Sequence, residues 1–156
     1  MIDSEFKTVV GKCPTGVVVV ATSFGNKLWG VTVNSFTSVS LKPQLISFCL
    51  AKQSRNFYIF RETSYFSVNI LSSNQSNISK HFASHILNKF QSIKYQIGEY
   101  ANSPLIKGAI SCVECQKYKQ FDCGDHYIFI GEVGRAMTDD TKSPLIYYAK
   151  SYKGIK

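Results

Sequence analysis

The run Gly16–Thr22 (GVVVVAT) constrains this chain more than any other stretch. Consecutive valines crowd a helix through their branched Cβ atoms but fit both faces of a strand, so the segment reads as a central, doubly buried strand. The cluster Ser23-Phe24-Gly25-Asn26 then turns the chain. Lys27–Val33 returns beside it as a hairpin, with Leu28, Gly30 and Thr32 on one face and Trp29, Val31 and Val33 on the other. Further strands are predicted over Gln44–Leu50, which begins just after Pro43, and over Tyr65–Leu71. Two long ones follow over Leu105–Lys119 and His126–Ala136, linked by Asp122-Cys123-Gly124-Asp125. Only short helices interrupt them. Asn56–Glu62 is one, with Asn56 as its cap; Asn74–Ser84 is the other, with Ser72 and Gln75 as a capping box and Ile78, His81, Phe82 and His85 as a narrow face. Many strands with no βαβ succession predict a mainly β chain, a closed or partly closed antiparallel barrel in one domain over residues 1–156.

Hydrophobic residues make up 44% of the chain, with 11 Phe and 9 Tyr, so it is expected to fold throughout. The longest apolar run, Val17–Ala21, is strand-sized and far short of the roughly 18 residues that span a bilayer. Residues Met1–Lys12 carry Asp3 and Glu5 and lack a basic-then-apolar leader pattern, which predicts a cytoplasmic protein with no membrane partner. The 5 Cys are an odd number scattered along the chain and read as reduced thiols. Cys112 and Cys115 lie on a predicted strand, where positions three apart face opposite ways, so they read as small buried residues and not as metal ligands. His81 and His85 have a chelating helical spacing, but no acid lies between them and no third ligand is apparent; no metal is assigned. The formal charge of +8 is spread without a stripe and favours encounter with phosphate-bearing dinucleotides. A nucleic-acid-binding barrel is the alternative from another class. It would show salt-dependent oligonucleotide binding, but bases and aromatics are not interleaved along one strand pair.

The segment from Thr32 to Ser40 concentrates hydroxyl and amide side chains just after a strand. On composition it reads either as a solvated turn or as a set of donors and acceptors able to surround a polar heterocycle or phosphate. The longer stretch GVTVNSFTSVSLKPQLISFCL resembles the signature segment of the flavin reductase-like family, the short-chain NAD(P)H:flavin reductases with an FMN-binding split barrel. Other pieces match in order: Phe66–Leu71 with Gln75 and Phe82-Ala83; Gly124-Asp125-His126 leading into Ile130–Val133; and Pro144–Tyr148 with Tyr152.

This resemblance implies a split β-barrel of Greek-key, FMN-binding type with a few short helices. It implies that Thr32, Asn34 and Ser35 line the isoalloxazine edge, and that Ser38, Val39 and Ser40 continue toward the ribityl chain. Ser54 and Arg55 match phosphate-side positions, where a guanidinium fork suits a terminal phosphate. Phe82, with His81 beside it, resembles an aromatic near the flavin, and Tyr152 one that lies over the site; His126 resembles a nicotinamide-orienting histidine. The implied reaction passes a hydride from NADH or NADPH to FMN or FAD and needs no protein nucleophile. A homodimer is implied, as is an oxygenase component of a two-component monooxygenase as acceptor of the reduced flavin. A non-catalytic or electron-shuttling flavin-binding protein of the same fold is the alternative within the family. Lys42-Pro43-Gln44 departs from the family's acidic-Pro-Pro pattern and Asn56 stands where many relatives have Thr, so FMN and FAD both stay open; little chain follows Tyr152, so NADH and NADPH both stay open as donor.

Overall fold

The computed structural model describes residues 2–155. The chain opens with helix α1 (Asp3–Val10), touches a small sheet at β1 (Thr15–Gly16), and forms the hairpin β2 (Val18–Phe24) and β3 (Lys27–Val33). A second hairpin, β4 (Thr37–Leu41) and β5 (Gln44–Ala51), leads to helix α2 (Phe57–Glu62) and strand β6 (Tyr65–Ile70). Helix α3 (Ser76–Ala83) and a single 3-10 turn (Lys89–Ser92) precede the short pair β7 (Tyr95–Ile97) and β8 (Pro104–Ile106). The long hairpin β9 (Ser111–Cys123) and β10 (His126–Thr138) and the short strands β11 (Ile146–Tyr148) and β12 (Ser151–Lys153) end it.

Seven strands form one antiparallel sheet in the order β3-β2-β6-β9-β10-β5-β4. Its end strands β3 and β4 are not hydrogen-bonded to each other, so the sheet curls without closing, in keeping with a split barrel. Both faces of β2 are buried, as the valine run demands. Val18 and Val20 join Phe48, Phe66, Val68 and Phe129 on the inner face, while Val19 and Ala21 pack outward against Leu71, Phe82 and Leu145. Phe48 centres the inner core, its ring 5.2 Å from Phe129, 5.4 Å from Phe66 and 5.9 Å from Phe60.

Several expectations need correction. The predicted strand Leu105–Lys119 is two strands, β8 and β9, because Gly108 turns the chain at φ +89°. Ser72 Oγ and Gln75 Nε2 donate to the carbonyls of Gly108 and Lys107 and hold that turn. The capping box is therefore only half made: the Ser72 N–H donates to Gln75 Oε1 at 3.0 Å, and the serine hydroxyl is spent elsewhere. Helix α3 spans Ser76–Ala83, shorter than the predicted Asn74–Ser84, and Ser84 is already extended, so His85 does not share a helical face with His81. Asn56 makes no side-chain cap; its N–H donates to Ser54 Oγ at 3.2 Å. The polar bend after β3 is, in its second half, the edge strand β4. Helix α1, absent from the sequence reading, has no buried residue.

Cys112 and Cys115 are buried free thiols on opposite faces, and burial pushes them up to about 11 and about 12. Among the described residues no group of three or more His, Cys, Asp or Glu could hold a metal ion, and no helix is long and apolar enough to cross a membrane.

A polar seam fastens the 98–106 segment to the outer face of β6 and β9. Asn69, fully buried, donates to the Val19 carbonyl at 3.1 Å and accepts from the Ile106 N–H at 2.7 Å. Glu114 accepts the N–H groups of Tyr100 and Ala101 at 3.0 and 2.8 Å. Removing a buried group that serves several partners strands each of them, so Asn69→Ala is expected to cost about 2 kcal/mol in urea unfolding. An unchanged midpoint would show that the seam is not structural.

Candidate active site

Because β3 ends the sheet, the backbone groups on its outer side have no partner strand. A cavity of about 690 Å³ opens there, bounded by residues 27–31, the 53–56 loop and the 82–91 segment. Gly30 is what allows its floor. A Cβ at this position would lie 2.7 Å from the Phe82 ring and 3.1 Å from Phe90, so only glycine lets both rings approach the strand. Phe82 and Phe90 are 4.9 Å apart, and Phe90 meets Tyr95 at 5.3 Å, giving a continuous aromatic base.

Two cations flank that base. Arg55, from the loop after β5, donates to the His85 carbonyl at 3.4 Å, and Lys89 Nζ donates to the Phe82 carbonyl at 2.7 Å. Burial, and then the nearby charge of Arg55, push the Lys89 ammonium below its usual range. Both causes favour the neutral amine, and a bound anion would oppose them. Affinity for a phosphate-bearing ligand is therefore expected to fall as pH rises through the lowered Lys89 pKa. The same titration with a phosphate-free analogue, such as riboflavin against FMN, should lack that step; identical profiles would remove Lys89 from the anion site.

The structure divides the predicted site residues into groups. Ser54, Arg55 and Phe82 line the cavity together. His81 lies beside it, its ring edge-on to Phe82 at 5.3 Å and Nε2 2.7 Å from the Lys89 carbonyl, so it braces the 82–91 segment. Thr32, Asn34, Ser35, Ser38, Val39 and Ser40 do not line the cavity, whose β3 wall stops at Val31. Within this stretch Asn34, Ser38 and Val39 are exposed. Two of the hydroxyls are committed internally: Thr32 Oγ1 donates to the Ser79 carbonyl at 2.6 Å, and Ser35 Oγ accepts the Cys49 N–H at 2.8 Å. Tyr152 does not line the cavity either; its hydroxyl lies 2.8 Å from Ser79 Oγ, on the residue whose carbonyl accepts from Thr32.

His126 begins β10 and pairs with Ala51, so the end of β5 carries both the histidine's neighbour and the loop to Arg55. Its Nδ1 lies 2.6 Å from Asp125 Oδ1, and the imidazole holds the Asp125 carboxyl below the ordinary range. The sequence reading missed Lys89, Phe90 and Trp29, which the chain's return to the β3 edge brings into the cavity. Lys89 had no signal beyond being one scattered base.

The fold is an open antiparallel sheet whose free β3 edge carries a cavity lined by aromatic rings and by two cations, Arg55 and Lys89. Residues 10–156 match the flavin reductase like domain family, and the chain belongs to it. It is 36% identical over 151 residues to a flavin reductase of Pseudomonas putida, covering 96% of this chain and 88% of that one. It is 31% identical over 153 residues to the reductase subunit HsaB of a flavin-dependent monooxygenase of Mycobacterium tuberculosis, covering 97% and 81%. The structure is similar to the NADH:FAD oxidoreductase of Streptomyces globisporus in complex with NAD and FAD fragments, with a TM-score of 0.94 at 31% identity, covering 100% and 96%.

Proposed function

We propose that this protein is an NAD(P)H-dependent flavin reductase acting as a single cytoplasmic domain over residues 1–156. The observation that carries this reading is the convergence of Arg55 and Lys89 over the Phe82–Phe90 floor at the free edge of β3, in a chain of this family. The donor set fits a flavin. Arg55, Lys89 and the Ser54 hydroxyl suit a phosphate, and the exposed Asn34 and Ser38, with the backbone from Thr32 to Ser40, suit the polar edge of a tricyclic ring. Flavin, when bound, accepts a hydride from reduced nicotinamide.

The chain's own residues orient the reactants. Thr32 and Ser35 fix the bend by tying it to α3 and β5, which holds its backbone donors in place. Tyr152, anchored on Ser79, screens the neighbouring surface. His126, oriented by Asp125, contacts the nicotinamide donor and needs to abstract no proton, since hydride transfer itself releases none from the protein.

Exposed apolar residues support a homodimer: Leu41 on edge strand β4 is 83% exposed, and Phe6 and Val9 of α1 are 56% and 65% exposed. The reduced flavin is supplied to the oxygenase component of a two-component monooxygenase.

Steady oxidation of NADH or NADPH with added FMN or FAD tests the activity. Turnover with either donor is expected; flavin binding without turnover would leave the electron-shuttling reading instead. His126→Ala is expected to raise the donor's KM severalfold while flavin affinity holds. The reverse pattern would move His126 into the flavin site.

A further inference from the structure

The loop after β5 carries Ser54 and Arg55, and the tip of the β9–β10 hairpin carries His126. The proposed flavin phosphate and the proposed donor contact therefore belong to separate elements. Ladder pairing between β5 and β10 ends at Ala51 and His126. Beyond that pair Lys52, a residue outside the cavity lining, fastens the two elements. Its N–H donates to the Asp125 carbonyl at 2.9 Å, and its Nζ donates to Asp122 Oδ1 at 2.6 Å. One residue thus grips both the end of β9 and the turn that follows it.

The far end of the loop meets the same hairpin. Lys52 Nζ lies 5.6 Å from the centre of the Tyr127 ring, and that ring meets Phe57, the first residue of α2, edge-on at 4.9 Å. Residues 52 and 57 therefore both bear on the neighbour of His126. Between them the chain has little slack, because the Ser54 N–H donates to the Ala51 carbonyl and the Phe57 N–H to the Ser54 carbonyl, each at 3.0 Å. Asp125 passes the contact on, with its Oδ1 2.6 Å from His126 Nδ1. The ion pair itself adds little to folding, since Lys52 and Asp122 are 36% and 60% exposed. Its geometry fixes where the histidine lies relative to the loop of Arg55.

We infer that Lys52 is a positioning residue: it clamps the hairpin tip that bears His126 to the phosphate loop, so that a flavin phosphate held at Arg55 strengthens binding of the nicotinamide donor. Ordering the loop orders the hairpin through Lys52, and by linkage the donor strengthens phosphate binding by the same factor. The inference rests on the flavin-reductase reading for the roles of Arg55 and His126.

FMN and riboflavin share one ring, so comparing them separates the phosphate from stacking between nicotinamide and flavin. The donor probe is a tetrahydronicotinamide analogue of NADH, which cannot give up a hydride, titrated calorimetrically into the full-length protein saturated with either flavin. Wild type is expected to bind it about fivefold more tightly with FMN than with riboflavin, at the low end of couplings between sites. In Lys52→Met and in Asp122→Asn that ratio should fall toward one, while the urea midpoint stays near that of wild type. Lys52→Arg keeps the charge and should keep most of the ratio. In turnover the same loss should appear as a raised NADH KM with FMN but not with riboflavin, at a kcat near the wild-type value.

A wild-type ratio of one would overturn the inference. So would a ratio that survives Lys52→Met, or a loss in Lys52→Met that comes with a lowered urea midpoint and is not repaired by Lys52→Arg, which would make the contact merely structural. If the analogue shows the expected pattern but no nicotinamide is oxidised, the clamp stands and the reductase reading fails. If NADH is oxidised and the ratio is one, the reductase reading stands and the clamp fails.

Discussion

Phe82→Ala is expected to lower the free energy of unfolding by about 3–5 kcal/mol, the range for deleting a fully buried aromatic ring. Phe82 is 0% exposed and is wedged between Gly30 and Phe90. Gly30 brings the strand against the ring, so deleting the ring leaves a void at a close-packed contact. The cavity's floor would also drop, so flavin affinity should fall together with stability. Phe82→Leu keeps most of the volume and is expected to cost less than half as much. Urea unfolding of both variants checks this, and similar midpoints for wild type and Phe82→Ala would show that the ring is not the keystone of α3 against β3. The sequence offered two roles for Phe82, core residue and flavin neighbour. In the structure the ring belongs to the outer core and also borders the cavity, so the two roles are compatible.

Arg55→Ala is expected to weaken binding of phosphate-bearing flavins by roughly 1.5–3 kcal/mol, the worth of hydrogen bonds to a charged group. Riboflavin, which has no phosphate, should bind the variant as it binds the wild type. Stability should barely change, because Arg55 is exposed and its one hydrogen bond within the protein is a long 3.4 Å contact to the His85 carbonyl. Arg55→Lys should recover only part of the loss, since a point charge cannot reproduce the forked pair of donors. Calorimetric titration with FMN and riboflavin separates these outcomes. An equal loss for both flavins would mean that Arg55 shapes the loop and does not contact phosphate.

The parts of this fold that were legible in the sequence are those where side-chain pattern and backbone pairing agree. The valine run and the turn at Gly25-Asn26 define the hairpin of β2 and β3; β2 is buried on both faces, and β3 at the sheet's end is mostly half-buried. Pattern failed where a backbone event decides the structure without changing side-chain character. Residues 37–41 look alike as a solvated bend and as an edge strand, and it is pairing with β5 that makes them β4. The apolar sequence around Leu105 and Ile106 runs on toward Ile110 as if in one strand, and the left-handed Gly108 is what splits it. Helix α1 was unreadable because its apolar residues meet no core within the chain.

The candidate site divides in the same way. Arg55 and Phe82 could be named because a resemblance carried them; Lys89 and Trp29 could not, since only the folded chain sets the 82–91 segment against the β3 edge. The shared helical face read for His81 and His85 is not formed, because the backbone turns extended at Ser84.

The most direct test is a crystal structure of the protein soaked with FMN. The phosphate should lie within hydrogen-bond distance of Arg55 and Lys89, with the isoalloxazine along residues 32–40. Ordered FMN seated on any other surface, or a saturated soak that leaves the β3 edge bare, would contradict the assignment of this cleft.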